Sequence, residues 1–275
     1  MLKRIYPINQ NKFDEINNDS AYWIGLLYAD GNCTCENKIR LYLSSKDEDI
    51  IRKFRDWLQT NDRPIKRKIQ NGSQVSAFEF RSWRIHNKLK QFELTSRKEQ
   101  RHRLDIALLQ PEIRRQFVRG YFDGDGCFTI DKRGYLYTEI TGYMNLLMDI
   151  KNILVFDNII SEHHKIVKNG SIFRIRLCAS DSIVFGNYIY SDARYYMDRK
   201  YNLFKYHAER LNNLMEKGKL SLKRQSASLK DSELDFRPVS NWNIGKRQEF
   251  KDRLEFKEPT DIDLIKLDKK TIETK

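Results

Sequence analysis

The sequence holds no apolar run long enough to cross a bilayer, so a transmembrane helix is not expected. Its first residues, MLKRIYPINQ, lack the apolar core of a secretory signal. The expected setting is therefore intracellular and cytoplasmic, with an organelle left open and secretion excluded. Cysteine is scarce and badly placed for zinc. Cys33-Thr34-Cys35 is tighter than a zinc-binding pair, and Cys127 and Cys178 form no second one. The five histidines are scattered, and His163-His164 has no partners at metal spacing. The stretch DGDGCFTID starts like an EF-hand loop. It then puts Cys127 and Phe128 where that loop needs an oxygen ligand and a glycine. Disorder is also excluded for most of the chain, because 40% of residues are hydrophobic and 12% aromatic.

What the 275-residue chain has in excess is positive charge. Lys and Arg number 51 against 38 Asp and Glu, a net of +13. Residues 221–275 hold 13 basic and 11 acidic side chains, so +11 of that excess lies in the preceding 220. A basic body without a basic tail points to a polyanionic partner, nucleic acid first. Solubility alone would also account for it.

The chain repeats itself. YWIGLLYADG (22–31) superimposes without gaps on FVRGYFDGDG (117–126), an offset of 95 residues. Gly25 falls on Gly120, Ala29 on Gly124, Asp30 on Asp125 and Gly31 on Gly126. The pattern continues on both sides. KIRLYL (38–43) alternates as a half-buried strand, and Ser45 and Glu48 have capping-box spacing before the helical stripe Ile50, Ile51, Phe54, Trp57, Leu58. Leu146, Leu147, Ile150, Ile153 and Leu154 repeat that stripe. AFEFR is matched by IFRIR, placing Arg81 on Arg176, again 95 apart. SRKEQ around Lys98 and DRKYN around Lys200 follow at an offset of 102. Each half thus reads helix, two strands, helix, two strands, then one or two helices. The expected organisation is an α+β unit over 1–100, its copy over 101–215, and a tail or small appendage over 216–275.

Gly25 and Ala29, like Gly120 and Gly124, lie four apart on one helix face, where small residues let two backbones approach closely. Glycine inside a helix costs about 1 kcal/mol relative to alanine, so packing of the two motif helices against each other is the natural reason for it. Asp30 and Asp125 then meet at adjacent helix C-termini, where helix dipoles and like charges both disfavour them. A hard cation such as Mg²⁺ would resolve that conflict. Gly31 and Gly126 fit the left-handed residue that ends a helix, which would free carbonyls toward a metal or water.

These two stretches, WIGLLYADG and VRGYFDGDG, resemble the LAGLIDADG homing endonucleases in their single-chain, two-motif form. The resemblance covers about residues 15–215. It implies two pseudo-symmetric αββαββα repeats joined through the motif helices, each with a four-stranded antiparallel saddle for DNA. It implies Asp30 and Asp125 as metal-binding, catalytic carboxylates. Tyr28 replaces the earlier acid of the motif, and Asp123 retains it. Lys98 and Lys200 best match the family's basic residue near the metals; Lys46 is a weaker candidate.

With Ile39, Leu41 and Leu43 packed inward, Lys38, Arg40 and Tyr42 project outward. Lys66, Lys68, Gln70 and Arg81 join that outward set, as do Tyr135, Tyr137, Arg174 and Arg176 in the second half, types suited to phosphates or base edges. The resemblance thus implies a monomeric, Mg²⁺-dependent double-strand DNA endonuclease, with Mn²⁺ as a possible substitute. The chain lacks the terminal residues of an intein and reads as free-standing or intron-encoded. The same fold also serves intron RNA maturases and DNA-binding regulators, so both alternatives stay open here.

Overall fold

The computed structural model describes residues 6–34, 36–92, 94, 110–132 and 134–216, and side chains only as far as 210. In the first half, α1 (Asn18–Asp30) runs directly into β1 (Gly31–Cys33). Then come β2 (Lys38–Ser44), α2 (Glu48–Trp57), β3 (Lys66–Gln70), β4 (Ser73–Arg81) and α3 (Trp83–Gln91). In the second half, α4 (Pro111–Asp125) runs directly into β5 (Gly126–Ile130). It is followed by β6 (Leu136–Gly142), α5 (Met144–Phe156), β7 (Ile166–Asn169), β8 (Ile172–Cys178), α6 (Ala179–Tyr190) and α7 (Asp198–Glu216). Two antiparallel four-stranded sheets result, ordered β1-β2-β4-β3 and β5-β6-β8-β7. The α+β duplication expected from the sequence is the observed one. No helix among the described residues is long and apolar enough to cross a membrane.

Local chemistry explains the boundaries. Asn17 caps α1 by accepting from the Asp19 and Ser20 amides at 3.0 Å, while Ser20 Oγ accepts from the Asn17 amide at 2.8 Å. Pro111 opens α4, where its missing N–H is harmless. Asn71 and Gly72, both with positive φ, turn β3 into β4. Ile39, Leu41 and Leu43 of β2 are buried against Ile50, Ile51 and Phe54 of α2, and Lys38, Arg40 and Tyr42 take the opposite face.

Three local expectations are corrected. Ser45 and Glu48 form no capping box. A 3-10 turn over Ser45–Asp47 precedes α2, and Glu48 instead accepts from Ser76 Oγ at 2.6 Å and from Arg67 Nε at 2.8 Å. These bonds, that from Arg67 foremost, hold its carboxyl down to about 2. Gly31 and Gly126 are not left-handed; their φ values of −83° and −106° are extended, because each starts a strand. Glycine is required there by space. A Cβ on Gly31 would lie 2.7 Å from Leu27 Cα, and one on Gly126 would lie 2.6 Å from the Phe122 carbonyl oxygen. Finally, Arg81 is not the counterpart of Arg176. The rungs Gly31–Leu41–Phe78 and Gly126–Ile140–Ile175 are equivalent, which pairs Arg176 with Glu79 and Arg81 with Cys178.

The two halves meet through α1 and α4. A Cβ on Gly25 would strike the Phe117 carbonyl and lie 2.9 Å from the Tyr121 amide. One on Gly120 would strike the Tyr22 carbonyl and lie 2.9 Å from the Leu26 amide. Phe117 and Tyr121 are the repeat mates of Tyr22 and Leu26, so the contact is reciprocal about a pseudo-twofold axis. The segment leading into α7, together with the first turn of α7, adds a clasp. Tyr195 packs on Trp23 with ring centroids 4.9 Å apart, Arg199 grips Asp47 at 2.9 and 3.0 Å, and Lys53 bonds Asp198 at 2.5 Å.

Because the atoms above both glycines belong to backbone, the helices must separate to admit a side chain. Gly120→Ala is expected to destabilise the protein by about 3 kcal/mol or more, read as a shift in chemical denaturation midpoint. An unchanged midpoint would contradict the backbone contact.

Candidate active site

Asp30 and Asp125 each end a motif helix one residue before a sheet begins, so the close helix contact brings both acids to the junction of the two sheets. Both are half-buried. The approach is direct on one side: the position a Gly124 Cβ would take lies 2.8 Å from Asp30 Oδ2, and it would clash with Ala29 Cβ. The sequence placed Gly25, Ala29, Gly120 and Gly124 at this interface, and all four are there.

The last four carbonyls of a helix have no partner within it. In α4 each of them is satisfied. The Gly126 amide and Lys200 Nζ donate to Phe122 O, Lys200 to Asp123 O at 2.6 Å and Gly124 O at 3.2 Å, and Thr141 Oγ1 to Asp125 O at 2.8 Å. Lys200 Nζ also lies 2.5 Å from Gly126 O. Lys200 is 4% exposed, and the charge of its ammonium opposes the negative end of the helix dipole. Burial lowers its pKa, while Asp123 and Asp30 act to raise it. Lys200, expected beside the metals as a catalytic group, is thus a helix cap held by carbonyls. The Gly126 carbonyl, expected to face a metal, faces this lysine. Lys98 lies outside the described residues.

Asp123 is the residue sequence reasoning undervalued. It is fully buried and accepts from the Tyr22 hydroxyl at 2.7 Å, the Tyr190 hydroxyl at 3.2 Å and the Met197 amide at 2.9 Å. Burial raises its pKa, and Lys200 acts most strongly against that shift. Three donors and no acceptor suit the carboxylate form. Asp123 therefore ties α4 to α1, α6 and the clasp in one network. Its counterpart Tyr28 turns its hydroxyl to the Phe92 carbonyl, so the first half closes differently.

For a metal, the described residues offer carboxylates and little else. No group of three His, Cys, Asp or Glu that could hold an ion occurs among them. Zinc coordination does not fit. Mg²⁺ does, because it is commonly held by one or two carboxylates, with waters and substrate phosphate oxygens completing the shell.

Beyond the acids lie two basic sheet faces. Lys38, Arg40 and Tyr42 surround Glu79: Lys38 Nζ at 2.9 Å, Arg40 Nε at 3.6 Å and the Tyr42 hydroxyl in hydrogen bond. Lys66, Lys68 and Gln70 stand exposed on β3, with Lys68 Nζ 4.3 Å from the centre of the Tyr42 ring. Arg81 pairs with Glu36 at 2.5 Å in an exposed contact. In the second sheet Arg174 and Arg176 reach Glu139 at 3.2 and 3.0 Å. Tyr137 shares that face, and Tyr135 lies just before β6 and is exposed. Glu79 and Glu139 were missed by sequence reasoning, which looked for cations, tyrosines and amides suited to DNA and passed over acids. Their strand parity would have placed them among the outward residues.

Solved structures provide the available likeness. The chain is similar to LAGLIDADG homing endonucleases. I-LtrWI bound to target DNA matches at 14% identity and a TM-score of 0.49, covering 79% of this chain and 95% of that one. I-AabMI bound to uncleaved DNA matches at 11% and 0.48, covering 74% and 92%. Full-length DUF199/WhiA from Thermatoga maritima matches at 12% and 0.46, covering 80% and 70%. At these values the likeness adds nothing to what the chain's own geometry establishes, and it says nothing of activity. No protein-family model and no curated protein matches the chain.

Lys200→Met would leave a buried carboxylate and several helix-end carbonyls without their cation. A loss of about 3–5 kcal/mol in unfolding free energy is expected. Arg81→Ala, which breaks the exposed pair with Glu36, should cost about 1 kcal/mol or less. Equal effects would contradict the assignment of Lys200 as the cap.

Proposed function

We propose that the protein is a site-specific, Mg²⁺-dependent double-strand DNA endonuclease of the LAGLIDADG kind, acting as a monomer in the homing of its own gene. The observation that carries this reading is the pairing of Asp30 and Asp125 at the ends of two helices in backbone contact, between two basic sheet faces. A protein that only binds nucleic acid has no use for two acids at a surface meant for phosphates. An intron RNA maturase on the same fold has no observation in its favour.

Each carboxylate would hold metal at one scissile phosphate, one per strand. When bound, Mg²⁺ supplies Lewis acidity to the phosphoryl group and to the leaving 3′ oxygen. The chain's own part is positional. Gly25 and Gly120 set the separation of the acids, and Lys200 fixes the end of α4 so that Asp125 emerges at a defined point. The outward lysines and arginines supply the salt-dependent hold on DNA, and the side chains nearest the groove read bases. Lys46, exposed in the turn after β2, would meet the backbone of the substrate.

Asp30→Asn and Asp125→Asn should each fold normally, bind target DNA and lose double-strand cleavage by about a thousandfold, equivalent to several kcal/mol of transition-state stabilisation. The check is Mg²⁺-dependent cleavage of a randomised or genomic target library. Undiminished cutting by both variants would contradict the site. Specific binding by the wild type without cutting would make the protein a DNA-binding regulator.

A further inference from the structure

Glu79 and Glu139 are out of place on surfaces that serve a polyanion. Glu79 sits among Lys38, Arg40, Lys66 and Lys68, and Glu139 beside Arg174 and Arg176, where a phosphate drawn to those cations would be repelled by the acid. Their side chains are only 19% and 20% exposed, because neighbouring cations close over them. If these faces served phosphates alone, both carboxylates would weaken binding and neutral residues would serve better.

Their register gives them a meaning. The first outward rung beyond Asp30-Gly31 is Asn32–Arg40–Glu79, and the first beyond Asp125-Gly126 is Cys127–Glu139–Arg176. These rungs are equivalent under the pseudo-twofold relation. In the first, the cation stands on β2 and the acid on β4. In the second the order is reversed, with the acid on β6 and the cation on β8. Each pair is a cross-strand ion pair, hydrogen-bonded from Arg176 to Glu139 at 3.0 Å and looser, at 3.6 Å, from Arg40 to Glu79, so reversal keeps an ion pair on each rung while exchanging what each position presents to a groove.

A guanidinium held by a carboxylate loses little further freedom on binding and aims its remaining donors in one direction. Arginine donates bidentately to guanine O6 and N7, and a glutamate accepts from cytosine N4. We propose that Glu79 and Glu139 are specificity residues that orient Arg40, Arg174 and Arg176 for base reading at the steps flanking the cleavage site. The reversed order makes the two halves prefer different bases at mirror-related positions. The inference rests on the endonuclease reading and adds to it which residues set central discrimination.

The test is binding and cleavage of the full-length protein on a library randomised at the central base pairs. Wild type is compared with Glu79→Gln, Glu139→Gln and the double swap Arg40→Glu with Glu79→Arg. Circular dichroism and thermal melts verify folding, and the swap retains an ion pair if a single change does not fold. Each Glu→Gln variant should bind non-specific DNA more tightly, with a steeper salt dependence, and lose at least tenfold in discrimination at base pairs of its own half only. The swap should change the preferred base in the first half and leave the second half as it was. Preferences unchanged in the folded swap, or affinity falling equally for all sequences, would overturn the proposal while leaving the nuclease reading intact. Absence of any specific DNA binding by the wild type would overturn both.

Discussion

The structure depends on one contact: the backbones of α1 and α4 touch, glycine to carbonyl, at Gly25 and Gly120. No side chain stands between the helices there, so their separation is fixed by backbone atoms that cannot adopt another rotamer. Everything functional is arranged from that fixed point. The helix ends lie together, the strands that follow diverge into two sheets, and the acids remain at the place where the halves part.

Two acids at adjacent helix C-termini are unfavourable, and the protein meets part of that burden itself. In the second half Lys200 enters the core and neutralises the end of α4, while Asp123 holds Tyr22, Tyr190 and the Met197 amide around it. Both ionisable groups are buried, and their pKa values are pushed in opposite directions by burial, each opposed by the other's charge. Such a pair gives a defined geometry more than it gives stability, which suits a support for a carboxylate that must point one way. The clasp formed by Tyr195, Asp198 and Arg199 extends the same support onto the first half.

Much of this was legible in the sequence. A duplicated pattern with period-2 strands fixes sheet faces, so the outward residues Lys38, Arg40, Tyr42, Arg174 and Arg176 followed from alternation alone. The small residues of the motif predicted the helix contact because only a close approach accounts for them. What escaped has physical causes. Gly31 and Gly126 looked like left-handed helix ends, since an Asp-Gly pair is more often a turn than a passage into a strand. Ser45 and Glu48 had capping spacing, but Arg67 and Ser76, distant in sequence, competed for the carboxylate and won. Lys200 read as the basic residue near the metals, and its place as a cap was hidden because burial of a lysine depends on a ring of carbonyls that only the fold assembles. The slip between Arg81 and Arg176 arose because the loops differ in length between halves, a difference that alignment of motifs does not see.

Helix contact is proposed to turn two separately encoded acids into one metal-binding locus. Anomalous diffraction from crystals of the protein bound to its target and soaked in Mn²⁺ tests it most directly. Anomalous peaks are expected at about 2 Å from carboxylate oxygens of both Asp30 and Asp125, between the ends of the motif helices. Peaks elsewhere, or metal at only one of the two acids, would contradict it.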